Sequence, residues 1–245
     1  VGESGDSVIR DEERPVWEKP ERKVLEKAAK EQKAIVLFFL SEGMTGVDAT
    51  KMLHGEDVAK LSKEKAFFVI IEYNNDRTPS LDTGCPVPTS KLAGPNPSRD
   101  YNITTTPAWL VCDHHGNEYT RFTRVPDGKQ LSTKIEEVKD AMDAVNKRLQ
   151  KTLDEGKKAL DAKDTAGFLK AALKNFKEGV VGLSAQEETI QAYRKLIDSS
   201  REEVDTILKE KPKDAEKRLK DMQKIFKGTE LTKDINDALQ ILKGR

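Results

Sequence analysis

The stretch Ala34-Ile35-Val36-Leu37-Phe38-Phe39-Leu40 decides the fold. Seven apolar residues in succession leave no wet face, and the β-branched and aromatic content suits a strand covered on both sides, the position of a central parallel strand. Before it, Val24, Leu25, Ala28 and Ala29 form one apolar stripe, predicting a helix over 20–32 with Pro20 in its first turn. After it, Gly43 and Gly46 break the run, and Val47, Thr50, Leu53, Val58 and Leu61 recur at helical spacing. Ala66-Phe67-Phe68-Val69-Ile70-Ile71 then reads as a second buried strand. The order helix, strand, helix, strand implies a right-handed crossover and a parallel pair.

Further along, residues 74–100 are rich in Pro, Gly, Asn and Ser and read as a long loop. A loop of that length inside a domain is either functional or a tolerated insertion. Tyr101–Cys112 leads into Asp113-His114-His115-Gly116, and Glu118–Phe122 returns, the pattern of a β-hairpin with Gly116 at a positive φ. Composition changes near residue 128. Eight of the ten prolines and both cysteines lie at or before Cys112, whereas Lys, Glu, Asp, Leu and Ala at helical spacing dominate beyond. Leu131, Ile135, Val138, Met142, Val145, Leu149 and Leu153 form one long seam. It could be a coiled-coil interface, or the last helix of the α/β domain continuing into a helical tail, and the second is expected. Four more helices follow, with starts expected at Asp164-Thr165, Ser184, Pro212 and Thr229. The domains expected are an extended lead-in over 1–16, an α/β domain over 17–145 and an all-helical domain over 146–245.

The chain has 245 residues, with 43 Lys+Arg against 43 Asp+Glu. Zero net charge supplies no field to neutralise phosphates, which argues against nucleic acid as a partner. Charged residues reach 35%, so much of the chain is solvated helix surface. No apolar run approaches the length of a membrane span. Two cysteines, Cys85 and Cys112, are too few for a disulfide scaffold or a four-sulfur zinc site. The opening Val1-Gly2-Glu3-Ser4-Gly5-Asp6 reads either as a trimmed end or as the end left by signal-peptide removal, and the second gives the expectation of a periplasmic or secreted protein.

Three features standing in order resemble the thioredoxin-like fold: the helix followed by Lys33–Phe39, the strand-to-helix loop Ser41–Asp48, and Thr106-Pro107 followed by Ala108–Cys112 and the 113–116 turn. The resemblance covers residues 17–145 and implies a central mixed sheet flanked by helices, with a cis-proline at Pro107. It also implies a Cys-x-x-Cys redox motif in the first loop. This sequence departs from that motif. Gly43-Met44-Thr45-Gly46-Val47 stands there, with Met44 and Val47 where the cysteines belong. Disulfide exchange needs a low-pKa thiolate and a resolving thiol, and neither a thioether nor an isopropyl group supplies one. The ordinary redox activity is therefore expected to be absent.

Other constellations are less specific. Cys85 and Cys112 could form a disulfide pinning the long loop to the sheet, a closure contributing on the order of 3 kcal/mol if unstrained. They could also be a redox pair in an unusual place, or two unlinked thiols. Cys112, His114 and His115 offer metal ligands within four residues, although a solvated turn is the commoner use of such a string. Glu42, Asp48 and Asp76 lie near the same edge, with Asp48 suited to a helix N-terminus. No nucleophile–His–carboxylate set, P-loop or dinucleotide motif is present.

Three functions follow. The first is a redox-inactive module for protein binding or assembly, in which the resemblance implies a groove beside Thr106-Pro107, lined or supported by Gly43, Met44 and Trp109, with the helical tail as a second surface for a partner or for self-association. The second is a thiol-disulfide oxidoreductase using Cys85 or Cys112. The third is metal handling through Cys112, His114 and His115. No cofactor is expected.

Overall fold

The computed structural model describes residues 8–79 and 84–244; the opening Val1–Asp6, read above as a candidate processed end, lies outside them. The described chain forms two compact units. The first comprises the described residues up to Arg77 together with Ser90–Ala144; the second comprises those of Thr78–Thr89 together with Val145 onward. The loop read as 74–100 is thus divided, and its middle belongs with the helical residues.

The first unit is built on a five-stranded sheet. Its strands are β1 (Trp17–Glu18), β2 (Ala34–Leu40), β3 (Ala66–Glu72), β4 (Ala108–Cys112) and β5 (Glu118–Phe122), in the order β1-β3-β2-β4-β5. β1, β3 and β2 run parallel; β4 and β5 are antiparallel to their neighbours. All seven residues of β2 are buried, because successive side chains face opposite sides and both sides are covered. Ala34, Val36, Phe38 and Leu40 meet Ala49, Val58, Leu61 and Leu131 on one face. Ile35, Leu37 and Phe39 meet Val24, Ala28, Leu92, Tyr101 and Ile103 on the other.

The helices of this unit are α1 (Arg22–Glu31), α2 (Gly46–Met52), α3 (Glu56–Glu64), the single turn α4 (Pro97–Asp100) and the first part of α5 (Gly128–Asp161). The apolar periodicity from Val47 to Leu61 is thus carried by two helices. Gly55, at φ +123, turns the chain between them. The lead-in is not wholly extended, since it holds a 3-10 turn at Asp11–Glu13 and the strand β1 begins where it ends. The Thr106–Pro107 peptide is cis, and Gly116 sits at φ +83 in the turn between β4 and β5.

The second unit is helical: the remainder of α5, then α6 (Thr165–Phe176), α7 (Ser184–Glu210), α8 (Ala215–Ile225) and α9 (Leu231–Lys243). The seam read from Leu131 to Leu153 is one helix. Leu131 and Val138 enter the sheet's core, while Leu149 and Leu153 are buried in the second unit. The stripes of α6–α9 form one core containing Phe168, Tyr193, Ile197, Leu219, Phe226 and Ile235. Asp164 caps α6 by accepting the Gly167 N–H at 2.9 Å. Thr229 does not cap α9; its hydroxyl donates to the Phe226 carbonyl, and the helix starts after Glu230.

Candidate functional site

β2 and β3 end in register, Leu40 opposite Glu72, so the loop after β2 lies at the carboxyl edge of the parallel strands. That edge is where open α/β sheets bind ligands, since the loops there are free to diverge. The loop turns at Gly43, φ +79, and the Met44 N–H donates to the Ser41 carbonyl at 3.1 Å. Thr45 and Asp48 close the N-terminus of α2. The Thr45 backbone N–H and hydroxyl each donate to Asp48 Oδ2 at 2.8 Å, and these two bonds hold the Asp48 carboxyl below its usual range. Met44 is half-buried against the sheet core, and Val47 is 65% exposed. The two positions at which the resemblance calls for thiols carry a packed thioether and a solvent-facing isopropyl group.

Beside this loop, on the β3 side, lies a cavity of about 970 Å³. Its apolar side is formed by Trp17, Leu40, Met44 and Ile70, and its rim by Glu42, Glu72, Asn74 and the 94–98 turn. Trp17 is fixed by its indole N–H, which donates to Thr50 Oγ1 at 3.0 Å, and by ring contacts to Phe38 and Phe68 at 5.9 and 5.8 Å. Arg77 ties the far wall together: its guanidinium donates to the Ser98 carbonyl at 3.1 Å, to the Tyr73 hydroxyl at 2.9 Å, and to the Ile103 carbonyl. The Asn74 N–H donates to Ser98 Oγ and the Asn96 amide to the Asp76 carbonyl, so the two segments of that wall are pinned to each other. No cysteine or histidine lines the cavity.

The residues singled out by sequence do not all converge there. Of Thr106, Pro107, Met44 and Trp109, Met44 alone lines the cavity. Ala108 pairs with Phe39 on the opposite side of β2 from β3, so Pro107 stands on the β4 side of the Met44 loop. Trp109 is fully buried, stacked on Phe38 with ring centroids 4.6 Å apart, and lines no groove; it supports the sheet from within. Of the three carboxylates, Glu42 is on the cavity rim, Asp48 is used in capping α2, and Asp76 lies outside the lining.

The disulfide expectation for Cys85 and Cys112 is corrected, and the pair is two unlinked thiols. Neither Cys85 nor Cys112 is in a disulfide, and the two belong to different units. Cys112 is wholly buried in β4. Burial, then the nearby Asp113 and Glu118, push its thiol well above the ordinary range, the opposite of an activated nucleophile. The Cys85 thiol donates to Glu230 Oε1 at 3.7 Å, within the helical unit. The His114 and His115 rings lie with centroids 4.1 Å apart, tilted by 48° to each other. Among the described residues, no three His, Cys, Asp or Glu side chains gather for a metal ion, Cys112 with the two histidines included. Asp113 is instead a structural acceptor, taking the His115 and Asn117 N–H groups, the Asn117 amide and the Tyr119 hydroxyl. Among the described residues no helix is long and apolar enough to cross a membrane.

No family model matches this sequence, and no curated protein matches it. Among solved structures the chain is similar to DsbH, titled an oxidoreductase, at 16% identity and a TM-score of 0.36, covering 51% of this chain and 85% of that one. It is also similar to a mutant thioredoxin from Halobacterium salinarum NRC-1, at 11% identity and a TM-score of 0.32, covering 51% and 90%. Both likenesses are distant. The thioredoxin-like description of the first unit rests on its own sheet: a parallel β1-β3-β2 half joined to an antiparallel β4-β5 half, with helices on both faces.

Proposed function

We propose that this protein is a redox-inactive thioredoxin-like module that binds an extended segment of a protein partner at the carboxyl edge of its sheet. The observation that supports this most directly is the chemistry of that edge. A cavity of about 970 Å³ opens there, lined by apolar side chains, amides and carboxylates, with Met44 beside it and no thiol in its walls. Binding a peptide uses main-chain hydrogen bonds and shaped apolar contacts, and these need no nucleophile. The helical unit offers a second surface for assembly. The two cysteines, both outside a disulfide, give the extracytoplasmic setting no support.

The test has two arms. In the first, insulin disulfides are reduced by dithiothreitol with and without the protein; the rate is expected to equal the uncatalysed one. In the second, labelled protein is applied to an array of cysteine-free peptides, and retention is expected that reductant does not alter. Catalysed insulin reduction that disappears in Cys85→Ser would make the protein an oxidoreductase and overturn the proposal.

A further inference from the structure

The cavity lies where a strand is missing. β2 pairs with all seven residues of β3, from Ala66 to Glu72. On the other side of β3, β1 pairs with Phe68 and Val69 and goes no further, because Lys19 and Pro20 lead away into α1. Proline has no N–H to donate, so it ends the ladder. Ile70, Ile71 and Glu72 are therefore left without a strand neighbour on that side among the described residues, and these same residues line the cavity. Alternate residues of such an edge present their N–H and C=O groups outward, a template for an added strand.

The side chains around the gap state what the strand should carry. Ile70 and Glu72 are two residues apart and so face the same side of the sheet. That side is also where Trp17 and Met44 pack with Ile70 against the core. The charged residues lining the cavity are Glu18, Glu42, Glu72 and Lys19. Glu18 is paired with Lys27 at 3.0 Å, whereas Glu42 and Glu72 have no ion pair among the described residues. The slot thus offers an apolar seat at the level of Ile70 and unneutralised carboxylates at the level of Glu72.

We infer that this gap takes an extended peptide as an added strand on the open edge of β3, with an apolar side chain seated on Trp17, Met44 and Ile70 and a Lys or Arg two residues away held by Glu72 and Glu42. This rests on the binding-module reading and gives that module its ligand class: a basic segment of apolar–any–basic pattern. The backbone bonds supply the alignment, and the charge pair supplies the choice among peptides.

Fluorescence anisotropy of a fluorescein-labelled peptide, STKTLTKTS, tests this; lysines on both sides of the leucine serve either strand direction. The lysine peptide is expected to bind at least tenfold more tightly than its glutamate counterpart STETLTETS. The preference should collapse in Glu72→Lys and Glu42→Lys, both exposed positions, and weaken as salt is raised. N-methylation of one alternate set of peptide residues should abolish binding, and of the other set should not, since only one set faces the edge. Equal binding of the two peptides, or indifference to both N-methyl sets, overturns the inference while leaving the binding-module reading in place. Failure of either peptide to bind, with no cysteine-free peptide retained on the array, sinks both. Concentration-dependent dimerisation lost in Glu72→Lys, without peptide binding, would assign the edge to a second copy of this chain and likewise overturn it.

Discussion

Tyr101 and Tyr193 illustrate how single residues are tuned by the two cores. Tyr101 is 2% exposed, and its hydroxyl donates to the Gly116 carbonyl across the hairpin turn. Burial first, then the proximity of Cys112 and Asp113, push its phenol well above the ordinary range. Tyr193 lies edge-on to Phe176 at 5.1 Å and donates to Glu230; burial and that carboxylate push it up as well. A folded pKa above the unfolded value of about 10 means that the contribution of each is whole below that pH and is lost as the pH rises through the folded values. In an alkaline titration followed by phenolate absorbance, these two rings should ionise only as the protein unfolds. Tyr101→Phe and Tyr193→Phe should each remove one equivalent from that late step, and ionisation of either ring well before loss of helical signal would refute the assignment. Little of this was legible in the sequence. Gly116 announced its turn, but the burial of Cys112 and the role of Trp109 depend on which face of β4 is covered, and Asp113 became a four-bond acceptor only once the turn had closed.

At the scale of elements, legibility followed the range of the physics. β2 and β3 declare themselves because a strand covered on both faces has to be apolar throughout, and Asp164 declares the start of α6 because a cap acts three residues away. The start of α7 at Ser184 is legible in the same way, but its cap is not. Its N-cap position is Leu183, whose side chain offers no acceptor. Asn146 on α5 does the capping instead, accepting the Ala185 N–H at 3.0 Å and bonding the Ser184 hydroxyl. No local pattern could reveal a cap supplied from α5. Asn146→Ala should destabilise the helical unit by about 1 kcal/mol, as for loss of an ordinary cap. Urea unfolding followed by circular dichroism would measure it. A variant as stable as the parent would mean that water replaces the carboxamide at no cost. The candidate site was hidden for a similar reason: β1 is two residues long, Trp17 follows directly on the polar lead-in of 1–16, and the gap β1 leaves beside Ile70–Glu72 is a property of sheet registration, not of any motif.

At the scale of the whole molecule, the described residues form two units whose membership crosses the chain order, with the described residues of 78–89 joining the helices. Each unit has its own core, one divided between the two faces of the sheet and the other shared by α6–α9. The two tryptophans, Trp17 and Trp109, both pack in or against the sheet core, so tryptophan fluorescence reports on the first unit, whereas most of the helical dichroism comes from the second. Separate cores make unfolding of the whole chain a poor candidate for a single two-state step. Leu37 and Leu219 are each fully buried, in the sheet core and the helical core respectively. Removing either side chain to Ala should cost about 2–5 kcal/mol within its own unit. Leu37→Ala is expected to lower the denaturant midpoint seen by fluorescence and to leave the larger part of the dichroism transition in place. Leu219→Ala should do the reverse. Equal displacement of both signals by either substitution would mean that α5, which contributes Leu131 to one core and buries Leu149 in the other unit, couples the two into one cooperative structure. In that case a ligand at the edge of β3 would stabilise the helical unit as well, by the mass action of binding to the folded state.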